Sequence, residues 1–208
     1  MDDNIDKARQ AHDKLVDLAK LSVKFAEVER APRYPNGKRE NDAEHSFLLA
    51  LSAMQLAVSY YPKLDVGLIT QFCIVHDLPE AYTGDVWTIN ISDSDREKKE
   101  LAEKDATQRL LTELPSHIAQ LLNRYEKQIE PEARFVRCVD KLLPGLINML
   151  TGDASTFKKD HNINNKDEFN SKIKKIHIER MQQMFPEFDI INKVFEINLE
   201  LLARILFK

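Results

Sequence analysis

Three features of this 208-residue sequence predict an all-α protein. Apolar residues recur at spacings of three and four along most of the chain, which is the period of an amphipathic helix. Only five glycines occur, and the apolar–polar alternation of a half-buried strand is hard to find. The chain has neither an internal repeat nor a low-complexity tract. At this length we expect residues 1–208 to form a single helical domain.

The composition indicates a protein that can bury a core and stay in solution, with 43% hydrophobic and 31% charged residues. A net charge of -4 argues against a basic nucleic-acid-binding surface. No apolar run approaches the roughly 20 residues of a membrane helix. Residues 1–4 are acidic and lack a following apolar stretch, so a signal peptide is not expected. Cys73 and Cys138 are therefore expected to be reduced core thiols in a cytoplasmic protein.

The first helix is predicted over residues 6–29, where the periodic pattern turns one apolar face inward. That face comprises Leu15, Leu18, Ala19, Val23 and Ala26. Residues 30–39 contain prolines, a glycine and four basic side chains. A basic loop is expected there, since proline and glycine favour turns.

Two helices are predicted in the next part of the chain. The first is expected to begin at Asp42 or Ala43, with Asp42 as its N-cap, and to end at Tyr61-Pro62. The second is predicted over residues 65–77. Because its apolar residues lie nearly all round the helix, it should be central and buried. Pro79 disfavours helical backbone at the preceding residue, so this helix should stop or bend there.

Five further helices are predicted, over residues 94–114, 116–127, 131–150, 167–184 and 187–207. Pro131 suits the first turn of its helix, whereas Pro144 should kink the same helix. Residues 83–93 and 151–166 are predicted to be loops. The second loop is polar and irregular, which makes it the best candidate for a mobile segment.

His76 and Asp77 form an unusual polar pair at the end of the apolar third helix. Adjacent helical residues point about 100° apart, so both reach one ion only if the ion lies between the two side chains or if the helix ends there. Leu78-Pro79 supplies such an end. A buried His-Asp pair is unfavourable unless a partner satisfies it. A metal would do so, and the carbonyl end of the helix also favours a cation. Taken alone, however, the dipeptide is more typical of a buried hydrogen bond without metal.

His45 and Asp140 strengthen the metal interpretation. His45 begins an apolar helix, where a single histidine is usually a core or capping residue. Asp140 interrupts an apolar run, and a buried aspartate is rare unless it is paired or binds metal. Its alternative partners are Arg137 and Lys141. Two imidazoles and two carboxylates together suit an octahedral Mn, Co, Fe, Ni or Mg ion better than a closed structural zinc site.

Two carboxylates follow the His-Asp pair. Glu80 lies one turn beyond His76 and could act as a general base for an attacking water. The alternative is an exposed carboxylate at a helix end. Asp85 follows Gly84 and could orient that water, although an ordinary turn aspartate has the same pattern.

The basic side chains before His45 are candidates for phosphate binding. They are Arg30, Arg33, Lys38 and Arg39. An arginine can hold a phosphate through two parallel hydrogen bonds. For any single one of them, a solvated surface position is about equally favoured.

The order His45…His76-Asp77…Asp140 resembles the HD-domain superfamily of metal-dependent phosphohydrolases. The flanking residues are similar to the branch that holds the 5'-deoxynucleotidases. They are Glu40-Asn41-Asp42-Ala43-Glu44-His45-Ser46, His76-Asp77-Leu78-Pro79-Glu80-Ala81-Tyr82-Thr83-Gly84-Asp85, Val139-Asp140-Lys141 and Arg30-Ala31-Pro32. The resemblance covers residues 15–150, and the C-terminal helices over 167–207 lie outside it.

The resemblance implies a helical bundle with a divalent metal site between its central helices. The implied ligands are His45, His76, Asp77 and Asp140, and the implied ion is Mn, Co, Ni, Fe, Mg or Zn. Glu80 would activate the attacking water with help from Asp85. Arg30 would lie near the substrate phosphate. Arg33, one of the basic side chains before His45, is a further candidate for binding it.

The implied reaction is hydrolysis of a nucleoside 5'-monophosphate to nucleoside and phosphate, with no nucleic-acid or membrane partner. A homodimer is also implied, paired through the helix over 94–114 or the C-terminal helix. One departure concerns the sugar. Bacterial members of the branch can carry a tryptophan after the arginine as a guard against the ribose 2'-hydroxyl, and this chain has Ala31.

Two other functions remain open from the sequence. The same site could act on nucleoside triphosphates, cyclic nucleotides or guanosine polyphosphates, for which the basic residues 33–39 could supply some of the extra charge. Alternatively, the chain could be a metal-free HD-like scaffold that binds a partner or nucleotide without turnover. The intact ligand positions and Glu80 disfavour the scaffold.

Overall fold

The structure is a computed structural model that describes residues 3–85, 92–152 and 162–207. The predicted all-α fold is confirmed, with one small β-hairpin in addition. The elements are α1 (Asp3–Ala26), β1 (Glu29–Arg33), β2 (Arg39–Asn41), α2 (Asp42–Tyr60), α3 (Val66–Val75), α4 (Glu80–Thr83), α5 (Asp93–Glu113), α6 (Ser116–Lys127), α7 (Pro131–Thr151), α8 (Lys166–Phe169), a π-helical segment (Asn170–Lys174), α9 (Lys175–Met184) and α10 (Asp189–Leu206). Most of each predicted loop, residues 86–91 and 153–161, lies outside the described residues.

The segment predicted as a basic loop is instead the antiparallel β1–β2 hairpin. Its turn is closed by a hydrogen bond from the Tyr34 N–H to the Lys38 carbonyl, 2.8 Å long, and Gly37 adopts a φ of +83° there. The strands were missed because two of their three buried side chains are charged and the third is Pro32. Arg30 on β1 and Glu40 on β2 are both buried, so the strands show no apolar alternation.

The hairpin leads directly into α2, whose N-cap is Asn41 and not Asp42 as predicted. The Asn41 side chain accepts a hydrogen bond from the Glu44 N–H, and the Glu44 side chain accepts one from the Asn41 N–H. This reciprocal capping box satisfies two backbone donors at the helix start. Asp42, being the first residue of the helix, is thereby turned into the protein and is fully buried.

The core lies where α2, α3 and α7 pack together, with α10 against the other side of α7. As predicted, α3 is central, and its Phe72 and Cys73 are completely buried. Both cysteines are free and buried. None of the described helices combines the length and the apolar character that crossing a membrane requires.

The predicted inward face of α1 is wrong in part. Leu15 and Val23 are 65% and 60% exposed, and the buried residue of α1 is Phe25. Leu18 and Leu21 pack against the core beside it. The inward face therefore follows residues 18, 21 and 25, because α1 lies against the bundle only near its C-terminal end.

An exposed apolar stripe runs along α2 and comprises Phe47, Leu51, Met54 and Val58. Their spacing of four, three and four residues places them on one helix face.

The homodimer was predicted to pair through residues 94–114 or the C-terminal helix, and it stays a prediction.

Substituting one buried and one exposed phenylalanine tests where the core lies. Phe135 on α7 is completely buried and packs edge-to-face against Tyr61 and Phe188. Phe135→Ala should lower the free energy of unfolding by about 3–5 kcal/mol, because it removes buried apolar surface and leaves a cavity. Phe47→Ala, at a side chain that is 69% exposed, should change it by less than about 0.5 kcal/mol. Urea unfolding monitored by circular dichroism measures both, and equal losses would contradict this placement of the core.

Candidate metal centre

Four residues that are distant in sequence meet at one point inside the bundle. His45 lies on the first turns of α2, His76 and Asp77 follow the end of α3, and Asp140 lies in α7. One side-chain ligand atom from each lies within 4.8 Å of the others. The His45 and His76 ring centroids are 5.4 Å apart. The structure thus brings together all four residues that were predicted to bind the metal.

The orientation of His76 leaves one ring nitrogen available. The Nδ1 atom lies 3.0 Å from the Cys73 carbonyl oxygen, so Nδ1 carries the proton and donates it there. Nε2 is therefore the ring nitrogen that a metal would use. It is buried, has no hydrogen-bond partner and lies 2.9 Å from Asp77 Oδ2. A histidine held by a backbone carbonyl, with its other nitrogen facing a carboxylate, suits metal binding.

His45 lies between two carboxylates. Its Nε2 is 3.0 Å from Asp140 Oδ1, and its Nδ1 is 3.5 Å from Glu40 Oε2. Burial alone would lower the pKa of the imidazole, but the neighbouring carboxylates outweigh burial and raise the pKa to about 9. Without a metal, His45 is therefore protonated, and a divalent ion would compete with that proton.

Asp140 contacts both Lys141, its alternative partner in a metal-free interpretation, and His45, another of the candidate metal ligands. Its Oδ2 accepts a hydrogen bond from Lys141 Nζ at 2.7 Å, while Oδ1 faces His45. Burial alone would raise the pKa of Asp140, but Lys141 and His45 hold it well below its ordinary value. Pro144, which lies inside α7 as predicted, has no N–H for the Asp140 carbonyl.

Glu80 is buried at the start of α4, with 8% exposure, unlike an ordinary carboxylate at a helix end. Burial, together with the charges of Asp77 and Asp42, raises the pKa of Glu80 to about 10. Its Oε2 has no hydrogen-bond partner. A buried carboxylate with an oxygen that accepts no hydrogen bond can take part in proton transfer.

Arg30 reaches the cluster from β1, where the strand alternation turns it inward. Its Nη1 donates to Asp42 Oδ1 at 3.1 Å and to Asp77 Oδ2 at 3.0 Å, and it lies 3.7 Å from Glu80 Oε2. Its Nε is 3.5 Å from Glu40 Oε2. The arginine that was predicted to bind phosphate is thus packed against carboxylates and is 8% exposed.

Arg33 and Asp85 lie further from the centre of the cluster. Arg33 Nη1 donates to the Gly37 carbonyl at 3.0 Å, within the hairpin turn. Asp85 follows Gly84, which has a φ of +72°, and is partly buried. The Asp85 charge helps to raise the pKa values of Glu80 and Asp42. Electrostatics therefore links Asp85 to the site, whereas the described contacts of Arg33 do not.

Glu40 and Asp42 are site residues that the sequence analysis missed. Both are completely buried, and burial raises the pKa of Asp42 to about 7. The available signal was the acidic run before His45, in which Asn41 and Glu44 form a capping box. Once those two residues are assigned to the cap, residues 40 and 42 are left to face inward.

A family model described as "HD domain" matches residues 24–184 of the chain, a span that contains every residue of this cluster. The chain belongs to the HD domain family. The resemblance inferred from the His45, His76-Asp77 and Asp140 motifs is therefore confirmed.

The relatives of this HD-domain chain include the 5'-deoxynucleotidases HDDC2 of Mus musculus and Homo sapiens. Each is 30% identical over 122 residues, which is 55% of this chain. The matched region spans 60% of the mouse protein and 58% of the human protein. The chain thus spans less than two thirds of the length of these relatives.

A solved structure shares the fold. It is the crystal structure of a "Predicted metal-dependent phosphohydrolase" from Magnetospirillum magnetotacticum MS-1, with a TM-score of 0.68 and 23% identity. The likeness covers 92% of this chain and 94% of that one. The shared fold therefore extends over most of the chain.

The chemistry of the cluster fits a divalent ion. Imidazole nitrogen and carboxylate oxygen are ligands for Mn, Fe, Co, Ni and Zn, and Nε2 of His76 is a buried nitrogen without a hydrogen-bond partner. His45, His76, Asp77 and Asp140 would hold the ion.

Removing His76 should abolish stabilisation by metal. For the wild type, Mn²⁺ at about 100 times its dissociation constant should stabilise the fold by about 2.7 kcal/mol relative to chelator. His76→Ala should lose most of this gain because a ligand nitrogen is missing, whereas His117→Ala, at an exposed position on α6, should keep it. Calorimetric melting with Mn²⁺ and with chelator measures the difference. A His76→Ala variant with the full Mn²⁺ response would contradict this ligand set.

Proposed function

We propose that this HD-domain protein is a metal-dependent phosphohydrolase that hydrolyses the phosphomonoester bond of nucleoside 5'-monophosphates. The observation that carries the proposal is the convergence of His45, His76, Asp77 and Asp140, with the buried Glu80 beside them. Four protein ligands leave room in an octahedral shell for water and a phosphate oxygen. Such a centre is suited to attack on a phosphate ester.

The ion held by these residues would polarise a phosphoryl oxygen, lower the pKa of the attacking water and offset the carboxylate charges that raise the pKa of Glu80. Glu80 is the general base of the proposal, because it is buried and its Oε2 accepts no hydrogen bond. Asp85 acts through its charge to orient the attacking water. Asp77 has a double role, as a metal ligand and as the carboxylate held by Arg30.

The substrate class is supported by the relatives. Two relatives that are 30% identical to this chain over 122 residues are named 5'-deoxynucleotidases. We propose a nucleotide, and not a protein or nucleic acid, as the phosphate ester. Ala31 lies beside Arg30 on β1 and is small, so nothing bulky at that position guards against a ribose 2'-hydroxyl.

Glu80→Gln tests the general base. The amide keeps the size of the side chain but cannot accept the proton, so turnover should fall by about 10²–10⁴-fold. Mn²⁺ binding should persist, because Glu80 is not among the four proposed ligands. Steady-state phosphate release gives the rate and metal analysis gives the Mn²⁺ content. Glu100→Gln, at an exposed position on α5, should match the wild type. A Glu80→Gln enzyme of normal rate would remove Glu80 from the mechanism.

The substrate class is tested by phosphate release from nucleoside mono-, di- and triphosphates, cyclic nucleotides and generic phosphoesters. The metal is first stripped by chelation, and Mn, Co, Ni, Mg or Zn is then restored singly. We expect metal-dependent release from 5'-monophosphates, with ribo and deoxy substrates hydrolysed at comparable rates because residue 31 is alanine. Turnover of triphosphates, cyclic nucleotides or guanosine polyphosphates without turnover of monophosphates would keep the centre and replace the substrate. No phosphate release from any of these substrates with any metal would contradict the enzymatic proposal.

A further inference from the structure

Beside the four-residue centre lies a second group of ligand-type atoms, formed by Asp42, Asp77 and Glu80. One carboxylate oxygen from each lies within 4.8 Å of the others. Asp77 belongs to both groups. In two-metal sites the ions are about 3.5–4 Å apart, so a carboxylate shared between two neighbouring groups is placed to bridge them.

The guanidinium of Arg30 occupies this second group. Nη1 lies 3.1 Å from Asp42, 3.0 Å from Asp77 and 3.7 Å from Glu80, so one nitrogen faces all three carboxylates. Arginine carries a permanent positive charge, since its guanidinium does not lose a proton in proteins. The guanidinium therefore stands where a second cation would be held.

Arg30 does not satisfy all the oxygens around it. Asp42 Oδ2, Glu80 Oε2 and both carboxylate oxygens of Glu40 have no hydrogen-bond partner. Asp42 and Glu40 are completely buried, and Glu80 is 8% exposed. Buried carboxylate oxygens without partners are unfavourable. The group thus has more acceptor atoms than one guanidinium satisfies.

We propose that Arg30 is a built-in cation that fills a second, latent metal site and restricts this protein to one divalent ion. The inference rests on the proposed function, because it takes the four-residue centre as the site of the first ion. A divalent ion cannot occupy the second group while Nη1 lies among its three carboxylates. A neutral side chain at position 30 leaves those carboxylates without a counter-charge, and a second ion then binds and shares Asp77 with the first.

The test counts bound Mn²⁺ in the full chain after equilibrium dialysis, by elemental analysis and native mass spectrometry. Wild type should hold about one ion, and Arg30→Met, which keeps the aliphatic stem and removes the charge, should hold about two. Electron paramagnetic resonance should show an isolated Mn²⁺ in the wild type and an exchange-coupled pair in Arg30→Met, because a shared carboxylate brings the ions within about 4 Å. None of these measurements depends on turnover.

Three further variants test whether the number of bound Mn²⁺ ions depends on the charge at position 30. Arg33→Met makes the same substitution in the same hairpin, where the side chain contacts only a turn carbonyl among the described contacts, and should hold about one ion. Arg30→Met combined with Asp42→Asn removes a carboxylate of the second group and should return the count to about one. Arg30→Gln is a second neutral variant with a shorter, polar side chain, and it should bind two ions even if Arg30→Met fails to fold.

The outcomes separate the inference from the proposed function. Two ions in a neutral Arg30 variant and one in the wild type support both. One ion in the wild type and in each folded neutral variant overturns the inference and leaves the four-residue centre in place. Two ions in the wild type also overturn it, since Arg30 would then exclude nothing. A wild type that binds no Mn²⁺ overturns the inference and the proposed metal centre together.

Discussion

Compensation of buried negative charge is the constraint on which this structure depends. Glu40, Asp42, Asp77, Glu80 and Asp140 gather in one region, and each is buried or nearly so. Carboxylates without partners in such a setting cost several kcal/mol each. Arg30 and Lys141 supply positive charge from two sides, and His45 supplies more when it is protonated. The remaining imbalance is what a divalent ion is suited to neutralise.

The fold serves this constraint through how its elements begin and end. The hairpin turns Arg30 and Glu40 inward on opposite strands. The capping box of Asn41 and Glu44 then fixes where α2 starts, which directs Asp42 and His45 into the cluster. The end of α3 before His76 lets two adjacent side chains face one point. Apart from Asp140, which lies in the middle of α7, the proposed ligands lie near helix termini, where backbone and side-chain directions change within a few residues.

The sequence was sufficient for residues whose chemistry conflicts with their surroundings. His76-Asp77 and Asp140 are polar side chains inside apolar helical segments, and such placement is explained by few arrangements. The same reasoning failed for the hairpin and for Asp42. In the hairpin the inward residues Arg30 and Glu40 are charged, so an apolar side chain no longer marks a buried position. At Asp42 the residue type suits an N-cap, and only the register of the helix assigned that role to Asn41.

The helical class, the central position of α3 and the candidate ligands His45, His76, Asp77 and Asp140 follow from the order of residues alone, because periodicity and misplaced polarity are local properties. The inward face of α1, the place of Arg30 among carboxylates and the burial of Glu40 and Glu80 were decided by the tertiary structure. These features depend on which distant segments meet. His45 and Asp140, for example, are 95 positions apart in the chain and share one hydrogen bond. A pattern within a single helix carries no information about such a partner, because burial and pKa are set by the neighbours that folding supplies.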